Sequence, residues 1–161
     1  FQNVTFYNCN FIGNGYTPSM LTLSACKNVS FVGCTFNMSG YAAGEFNATG
    51  CKNGLNIEVS SNINIRNCAF KNTSDRYGLI IEYSNDCCVH GCTFDNIAGS
   101  GVEISHSNTN IYVVGNIFRD CCTRDLGDEL SGASDGVIDT YGPVEEGEKL
   151  NSHIVIERNH I

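Results

Sequence analysis

The nine-residue stretch NVTFYNCNF, residues 3–11, decides the fold because its pattern returns along the whole chain. It recurs as NVSFVGCTF at 28–36 and as NINIRNCAF at 62–70, and shorter copies lie around residues 92, 116 and 159. Aligned on Cys9, the six copies are spaced 25, 34, 24, 24 and 43 residues apart. A unit of about 24 residues is therefore interrupted twice, and we place the insertions at about 37–52 and 119–134.

Each copy of the repeat contains a short strand followed by a corner. Apolar residues lie five and three positions before the aligned residue, as Val4 and Phe6 do in the first copy, and this alternation indicates a strand with one buried face. Two positions after the aligned residue the chain points inward again. A large apolar residue occupies that position in every copy: Phe11, Phe36, Phe70, Phe94, Phe118 and Ile161.

A second strand follows in most units and opens with a glycine suited to a tight corner. Its copies are GLNIEV at 54–59, GLIIEY at 78–83, GVEIS at 101–105 and GVIDTY at 136–141. The unit is too long for a hexapeptide β-helix and too short for a propeller blade, and it lacks a leucine-rich signature. The sequence therefore predicts an all-β fold, a right-handed single-stranded parallel β-helix of about six coils that forms one domain over 1–161.

Stacking the coils at about 4.8 Å would place equivalent residues in columns. The aligned column reads Cys, Cys, Cys, Cys, Asn, Asn, and the column beside it reads Phe five times and then Ile. We expect the ladder cysteines, among ten in all, to be reduced thiols packed as small apolar groups. The adjacent pairs Cys87–Cys88 and Cys121–Cys122 leave a loop disulfide open.

This pattern resembles the parallel β-helix repeat of the pectate-lyase-like superfamily, which includes pectin-degrading enzymes, alginate epimerases and bacteriophage tailspikes. The resemblance covers essentially the whole chain, and SDGVIDTYGP at 134–143 looks like a segment that recurs in tailspikes and related carbohydrate-binding proteins. It implies a polysaccharide partner, an extracellular or virion-surface location and a homotrimeric full-length protein. Because this scaffold hosts lyases, hydrolases, epimerases and adhesins, the fold alone does not predict an activity.

Composition and net charge limit the classes of molecule that the chain can bind. With 42% hydrophobic and 16% charged residues the chain should fold as a globular domain, and its net charge of −8 argues against nucleic acid or an anionic membrane as a partner. We expect no cofactor, although a lyase acting on an anionic polymer would need a local basic patch or bound Ca²⁺. Since the first residues lie inside a repeat and the last residue completes one, we expect a piece of a longer polypeptide.

Carboxylates on the second strands are the candidate catalytic groups. If these strands stack in register, Glu58, Glu82, Glu103 and Asp139 lie along one face and raise one another's pKa values. Glycoside hydrolysis needs two carboxylates roughly 5 to 5.5 Å or 6.5 to 9.5 Å apart, distances that neighbouring coils supply. The resemblance implies that Asp135 or Asp139 is the general acid or base. It makes Glu82 or Glu103 the partner of that residue and Arg124 a contact to the sugar.

Further side chains should lie along the same face and form a substrate groove with the carboxylates. Tyr83, Tyr112 and Tyr141 are candidate platforms for sugar rings, Glu58 is a candidate substrate contact, and His106 could contact substrate or act as a base. The sequence thus predicts a tailspike-like domain that binds and hydrolyses cell-surface polysaccharide. The main alternative is a receptor-binding adhesin without cleavage. A lyase or epimerase is disfavoured by only nine Lys and Arg residues and no Asp-Pro-His motif, and a pure spacer by the long second insertion.

Overall fold

Three parallel sheets form the protein, as seen in a computed structural model that describes residues 1–13, 19–38, 53–73, 76–123, 136–142 and 146–161. Each of the first five coils contributes one strand to each sheet, and the sixth contributes a strand to sheet A. Sheet A contains β1 (Gln2–Tyr7), β4 (Lys27–Val32), β7 (Ser61–Arg66), β10 (Asn85–His90), β13 (Thr109–Val114) and β16 (Ser152–Glu157). Sheet B contains β2 (Asn10–Ile12), β5 (Thr35–Asn37), β8 (Ala69–Thr73), β11 (Thr93–Ile97) and β14 (Ile117–Cys121). Sheet C contains β3 (Ser19–Ser24), β6 (Asn53–Glu58), β9 (Leu79–Glu82), β12 (Val102–Ser105) and β15 (Ile138–Thr140).

The chain visits the three sheets in turn and then returns to the first sheet one rung further on, which makes a right-handed parallel β-helix. The six strands of sheet A confirm the predicted number of coils. The described part of the chain contains no helix. It therefore contains no helix long and apolar enough to cross a membrane.

The register of sheet A follows the alternating apolar pattern of the sequence. Val4 pairs with Val29 and Phe6 with Phe31, and the later coils continue both columns inward. Beside them the phenylalanines of sheet B stack face to face, with ring centroids 4.6 to 4.8 Å apart along the column Phe11, Phe36, Phe70, Phe94 and Phe118. Because each ring covers its neighbour, the stack buries apolar surface that no single coil could bury.

The corner column confirms the predicted change from cysteine to asparagine. The thiols of Cys68 and Cys92 lie in the core and donate to backbone carbonyls of the preceding coil, and each described cysteine is a free thiol. Asn116 continues the column by accepting from the Cys92 amide at 2.8 Å and donating to the Val89 carbonyl at 3.0 Å. Its amide thus satisfies buried backbone groups that would otherwise lack partners.

Outward asparagines occupy the second position of strands in sheet A, where the backbone has positive φ. Asn28 and Asn62 have φ values of 56° and 54°, a region that asparagine tolerates better than other non-glycine residues. Each side chain donates to the asparagine one coil below, at 2.7 Å from Asn28 to Asn3 and 2.8 Å from Asn62 to Asn28. The abundance of asparagine in the repeat therefore has a conformational cause.

The glycines that open the strands of sheet C have a role other than the predicted corner. Gly78 and Gly101 are not in the positive-φ region. A Cβ on Gly78 would lie 2.8 Å from the Gly101 carbonyl oxygen, and one on Gly101 would lie 2.6 Å from the Phe118 ring. Close packing against the next coil and the phenylalanine column therefore requires glycine here.

The insertions lie largely outside the described residues. Strand β14 pairs with β11 as far as Cys121, so the first three residues of the second predicted insertion, 119–134, belong to the regular coil. The first predicted insertion, 37–52, likewise begins on Asn37, the last residue of β5.

Candidate functional site

The outward side of sheet C carries acidic residues in two adjacent columns. In one column Glu58 pairs with Glu82, which in turn pairs with Ser105. In the other, Ile80 pairs with Glu103 and Glu103 with Asp139. We call these outward residues the carboxylate face, and define it as Glu58, Glu82, Glu103, Ser105 and Asp139.

This register corrects the prediction of a single line of four carboxylates. Gly101 aligns with Gly78, so Glu103, two residues after its glycine, falls level with Ile80 and not with Glu82. A shift of two residues preserves the side of a strand, and all four acids still point outward. The structure therefore makes two pairs, Glu58 with Glu82 and Glu103 with Asp139.

Ser105 links the two pairs. Its hydroxyl lies 3.1 Å from Oε1 of Glu103 and 3.4 Å from Oε1 of Glu82. One hydroxyl has a single proton to donate, so it cannot satisfy two ionised carboxylates at once. A protonated carboxyl on one side would supply the missing hydrogen bond, and the arrangement favours unequal protonation of Glu82 and Glu103.

Burial raises the pKa of both carboxyl groups. For Glu103, which is only 6% exposed, desolvation is the main cause, and the negative charges of Asp139 and Glu82 add to it. The side chains of Tyr77 and Ser105 act in the opposite direction. For half-buried Glu82, desolvation again raises the pKa, the positive potential of His106 and the Ser105 hydrogen bond lower it, and Glu58 raises it.

Two oxygens of the Glu103–Asp139 pair are buried without partners. Within the described residues neither Oε2 of Glu103 nor Oδ2 of Asp139 has a hydrogen-bond partner, whereas Oδ1 of Asp139 accepts from the Thr140 amide at 2.8 Å. Two acceptor oxygens on directly paired residues would repel if both groups were ionised. A proton held on Glu103, whose pKa is raised, would remove that repulsion.

A second cluster lies at the rim of this face, where the corners after β9 and β12 meet the segment 146–151. Nδ1 of His106 lies 3.0 Å and 3.2 Å from the two carboxylate oxygens of Glu148. The Tyr83 hydroxyl donates to the same carboxylate, and its ring stacks on the imidazole with centroids 5.0 Å apart. Tyr83 therefore braces His106 in this structure.

The remaining predicted site residues are placed as follows. Tyr141 continues the Glu82–Ser105 column, and its amide donates to the Ile104 carbonyl at 2.9 Å. Tyr112 lies on sheet A, where it pairs with Cys88, so it does not line the carboxylate face. Arg124 and Asp135 lie outside the described residues.

Sequence reasoning missed Glu148, Ser105 and Tyr77. Ser105 could have been found, because aligning the glycines places it level with Glu82. Glu148 lies 42 residues after His106 in an irregular segment, and no periodic pattern indicates that contact. Among the described residues, no group of three or more His, Cys, Asp or Glu side chains is arranged to hold a metal ion.

Parallel coils, a stacked aromatic core and an outward acidic face define this protein as an all-β right-handed parallel β-helix. The sequence matches the family described as "Right handed beta helix region" over residues 1–140, and the chain belongs to that family. No curated protein matches the sequence.

Similar solved structures include two trypsin-treated variants of QnrB1, described as a plasmid-mediated fluoroquinolone resistance protein. They are 14% and 12% identical to this chain, each alignment covers 87% of this chain and 91% of that chain, and the TM-scores are 0.19 and 0.16. Scores of this size carry no argument about the function of this chain.

Proposed function

We propose that this β-helix binds a polysaccharide along the carboxylate face and hydrolyses it by acid/base catalysis, as a tailspike-like depolymerase would. The proposal includes a cell-surface polysaccharide as partner, an extracellular or virion-surface location and a homotrimeric parent protein, all of which follow from the resemblance of the repeat. It requires no cofactor.

The Glu103–Asp139 pair is the observation that carries this proposal. A general acid must hold its proton near neutral pH, and burial together with a neighbouring carboxylate favours the protonated form. Glu103 is the deeper partner, and Asp139 is the more exposed one. Glu103, whose pKa is raised, would therefore hold the acidic proton, and the more exposed Asp139 would contact the substrate beside the glycosidic bond.

Glu82 is the candidate for the second carboxylate. It lies on the coil next to Glu103 and two coils from Asp139. Adjacent coils are separated by about 4.8 Å and next-nearest coils by about twice that distance, values that span the separations used for retention and inversion. Half-burial leaves Glu82 in contact with solvent, as a base that activates water requires.

Charge favours a polymer that is neutral or positively charged at this face. Within the described residues the two outward columns contain acidic, hydroxyl, apolar and amide side chains, but no Lys or Arg. A uronate polymer would be repelled by four carboxyl groups unless Ca²⁺ screened them. A lyase or epimerase acting on such a polymer is therefore a weaker candidate.

Binding without cleavage is the second candidate, and the depth of Glu103 favours it. A side chain that is only 6% exposed makes little direct contact with a ligand. Such a protein would recognise the polysaccharide with Glu58, Glu82 and the rim tyrosines and leave it intact.

Chain-length analysis separates these two functions. The protein would be incubated with bacterial capsule, O-antigen and teichoic-acid polymers, and reducing ends and polymer length would be followed for wild type, Asp139→Asn, Glu103→Gln and Glu82→Gln. Asp135→Asn tests the part of the prediction that lies outside the described residues. Glu157→Gln is the matched control, because Glu157 lies on sheet A beside the exposed Arg158.

We expect shortening by wild type and the control, and a loss of about a hundredfold or more when Asp139 or Glu82 is neutralised. Binding measured by sedimentation should persist in these variants. If the wild-type protein bound a polymer tightly without shortening it, the hydrolase proposal would be refuted and the adhesin would remain.

A further inference from the structure

The rim cluster of Tyr83, His106 and Glu148 is tightly held from two sides. Glu148 takes hydrogen bonds from Tyr83 and His106, and its side chain is only 8% exposed. The next residue is anchored separately, since the Lys149 amide donates to Oγ of Ser107 at 2.8 Å and that hydroxyl donates to the Lys149 carbonyl at 3.0 Å. The segment that carries Glu148 is therefore fixed to the corner that carries His106.

We propose that Glu148 is a positioning residue that keeps the His106 proton on Nδ1, so that Nε2 faces the rim as the acceptor for a hydroxyl group of the bound sugar. The sugar ligand rests on the proposed function, whereas the role of Glu148 in orienting the ring does not.

The chemistry of the contact determines the tautomer. A carboxylate only accepts hydrogen bonds, so the imidazole nitrogen that faces Glu148 must carry the proton. In the neutral ring Nε2 then has a free lone pair. Within the described residues Nε2 of His106 has no hydrogen-bond partner, and the side chain is 24% exposed. The ring thus offers one oriented acceptor that solvent or a ligand can reach.

The position of His106 places this acceptor beside the proposed catalytic groups. His106 follows Ser105, whose hydroxyl lies 3.4 Å from Oε1 of Glu82, and its carbonyl accepts from the Tyr83 amide at 2.8 Å, so His106 lies next to Glu82 at the end of sheet C. The titratable groups that face the ring are Glu148 from the segment 146–151, Tyr83 from the corner after β9, and Glu82. A sugar in contact with Glu82 would have a hydroxyl group within reach of His106.

Side-chain nitrogen NMR tests the orienting role on the free protein. Long-range ¹H–¹⁵N spectra of the ¹⁵N-labelled chain would be recorded above the titration range of histidine, and His106→Gln would identify the His106 signals among the four histidines. We expect only the Nδ1–H form in wild type and a mixture of both tautomers in Glu148→Gln. Glu146→Gln removes the same charge from an exposed position of the same segment and should leave the tautomer unchanged.

Two spectroscopic results would overturn the orienting role. One is an Nε2–H tautomer in wild type, and the other is a pure Nδ1–H tautomer that survives in Glu148→Gln. Circular dichroism of each variant would show that the fold persists, so neither result could be attributed to unfolding.

Kinetics and titration test the sugar contact. With the polymer that the panel identifies as substrate, Glu148→Gln should raise KM about fivefold, equivalent to the loss of one hydrogen bond of about 1 kcal/mol, and leave kcat within about twofold. Glu82→Gln should instead lower kcat. Adding the polymer should shift the Nε2 resonance of His106 in wild type, and an unchanged resonance under saturating polymer would refute the contact.

Failure of the proposed function is distinguishable from failure of this inference. If no polymer in the panel binds, both proposed functions, hydrolase and adhesin, are refuted, and so is the contact between His106 and a sugar. The tautomer measurement would still decide whether Glu148 orients His106.

Discussion

Glu103 shows how one buried carboxyl group can link stability to pH. It sits among Ser105, Tyr77 and Asp139, and desolvation favours its neutral form over its charged form. A carboxyl whose pKa is raised by folding binds its proton more tightly in the folded than in the unfolded chain. Folding is therefore favoured at low pH and loses that contribution as the pH rises.

We expect Glu103→Gln to remove part of this pH dependence. Wild type should lose stability as the pH rises above about 4.5, the ordinary pKa of the group, and the loss should level off once the raised folded-state pKa is passed. The Gln variant should match wild type below that range and be more stable than wild type at neutral pH. Urea unfolding at a series of pH values measures both curves.

Glu157→Gln serves as the control for this experiment, because an exposed glutamate on sheet A should change stability by no more than about 0.5 kcal/mol at any pH. If Glu103→Gln lowered stability equally at every pH, the side chain would be acting as a structural acceptor, and the explanation based on its ionisation would be wrong.

At the scale of the element, the phenylalanine column of sheet B joins successive coils. Phe70 stacks on Phe36 at 4.6 Å and on Phe94 at 4.8 Å, with the rings within 6° of parallel. The same column excludes a side chain at Gly101, whose Cβ would meet the Phe118 ring. Sheet B and sheet C are thus packed together through aromatic rings on one side and glycines on the other.

Phe70→Ala should cost about 3–5 kcal/mol, because it leaves a cavity between two rings that cannot close without moving whole coils. Guanidinium unfolding monitored by circular dichroism would measure the loss. Tyr7→Ala, at a position 66% exposed on sheet A, is the comparison and should change stability by about 0.5 kcal/mol or less. A cost for Phe70→Ala below about 1 kcal/mol would mean that the column contributes little to stability.

At the scale of the whole molecule, the described strands of each coil pair only with strands of the adjacent coils. In sheet A, β7 pairs with β4 and β10, whereas among the described residues β1 pairs only with β4 and β16 only with β13. Stability in such an array is close to a sum of terms between adjacent repeats, so the outer coils should open more easily than the middle ones.

Hydrogen exchange followed by NMR should therefore show the slowest amides in β7 and β10 and the fastest strand amides in β1 and β16 of the 161-residue chain. The expected order reflects the number of paired neighbours and not the composition of the strands. Equal protection from β1 to β16 would indicate that the array opens as a single cooperative unit.

Much of the fold could be predicted from sequence because equivalent residues make the same contacts in every coil of a stacked repeat. The alternation around Val4 and Phe6 predicted sheet A, and the recurring phenylalanines predicted the column of sheet B. The outward side of sheet C was also predictable, but the pairing of its acids was not, because Glu58, Glu82 and Glu103 were aligned by residue type and not by their distance from the preceding glycine.

The amino-acid sequence by itself determined the number of coils, the buried columns and the side of the helix that carries acids, since each of these depends on a local pattern repeated from coil to coil. Only the tertiary structure decided which acids meet, through the two-residue offset of Glu103, and that Glu148 reaches back to Tyr83 and His106. The Glu148 contacts join two corners and an irregular segment, where no repeat constrains the spacing and side-chain packing alone selects the partner, whereas the pairing of Glu103 with Asp139 follows the strand register.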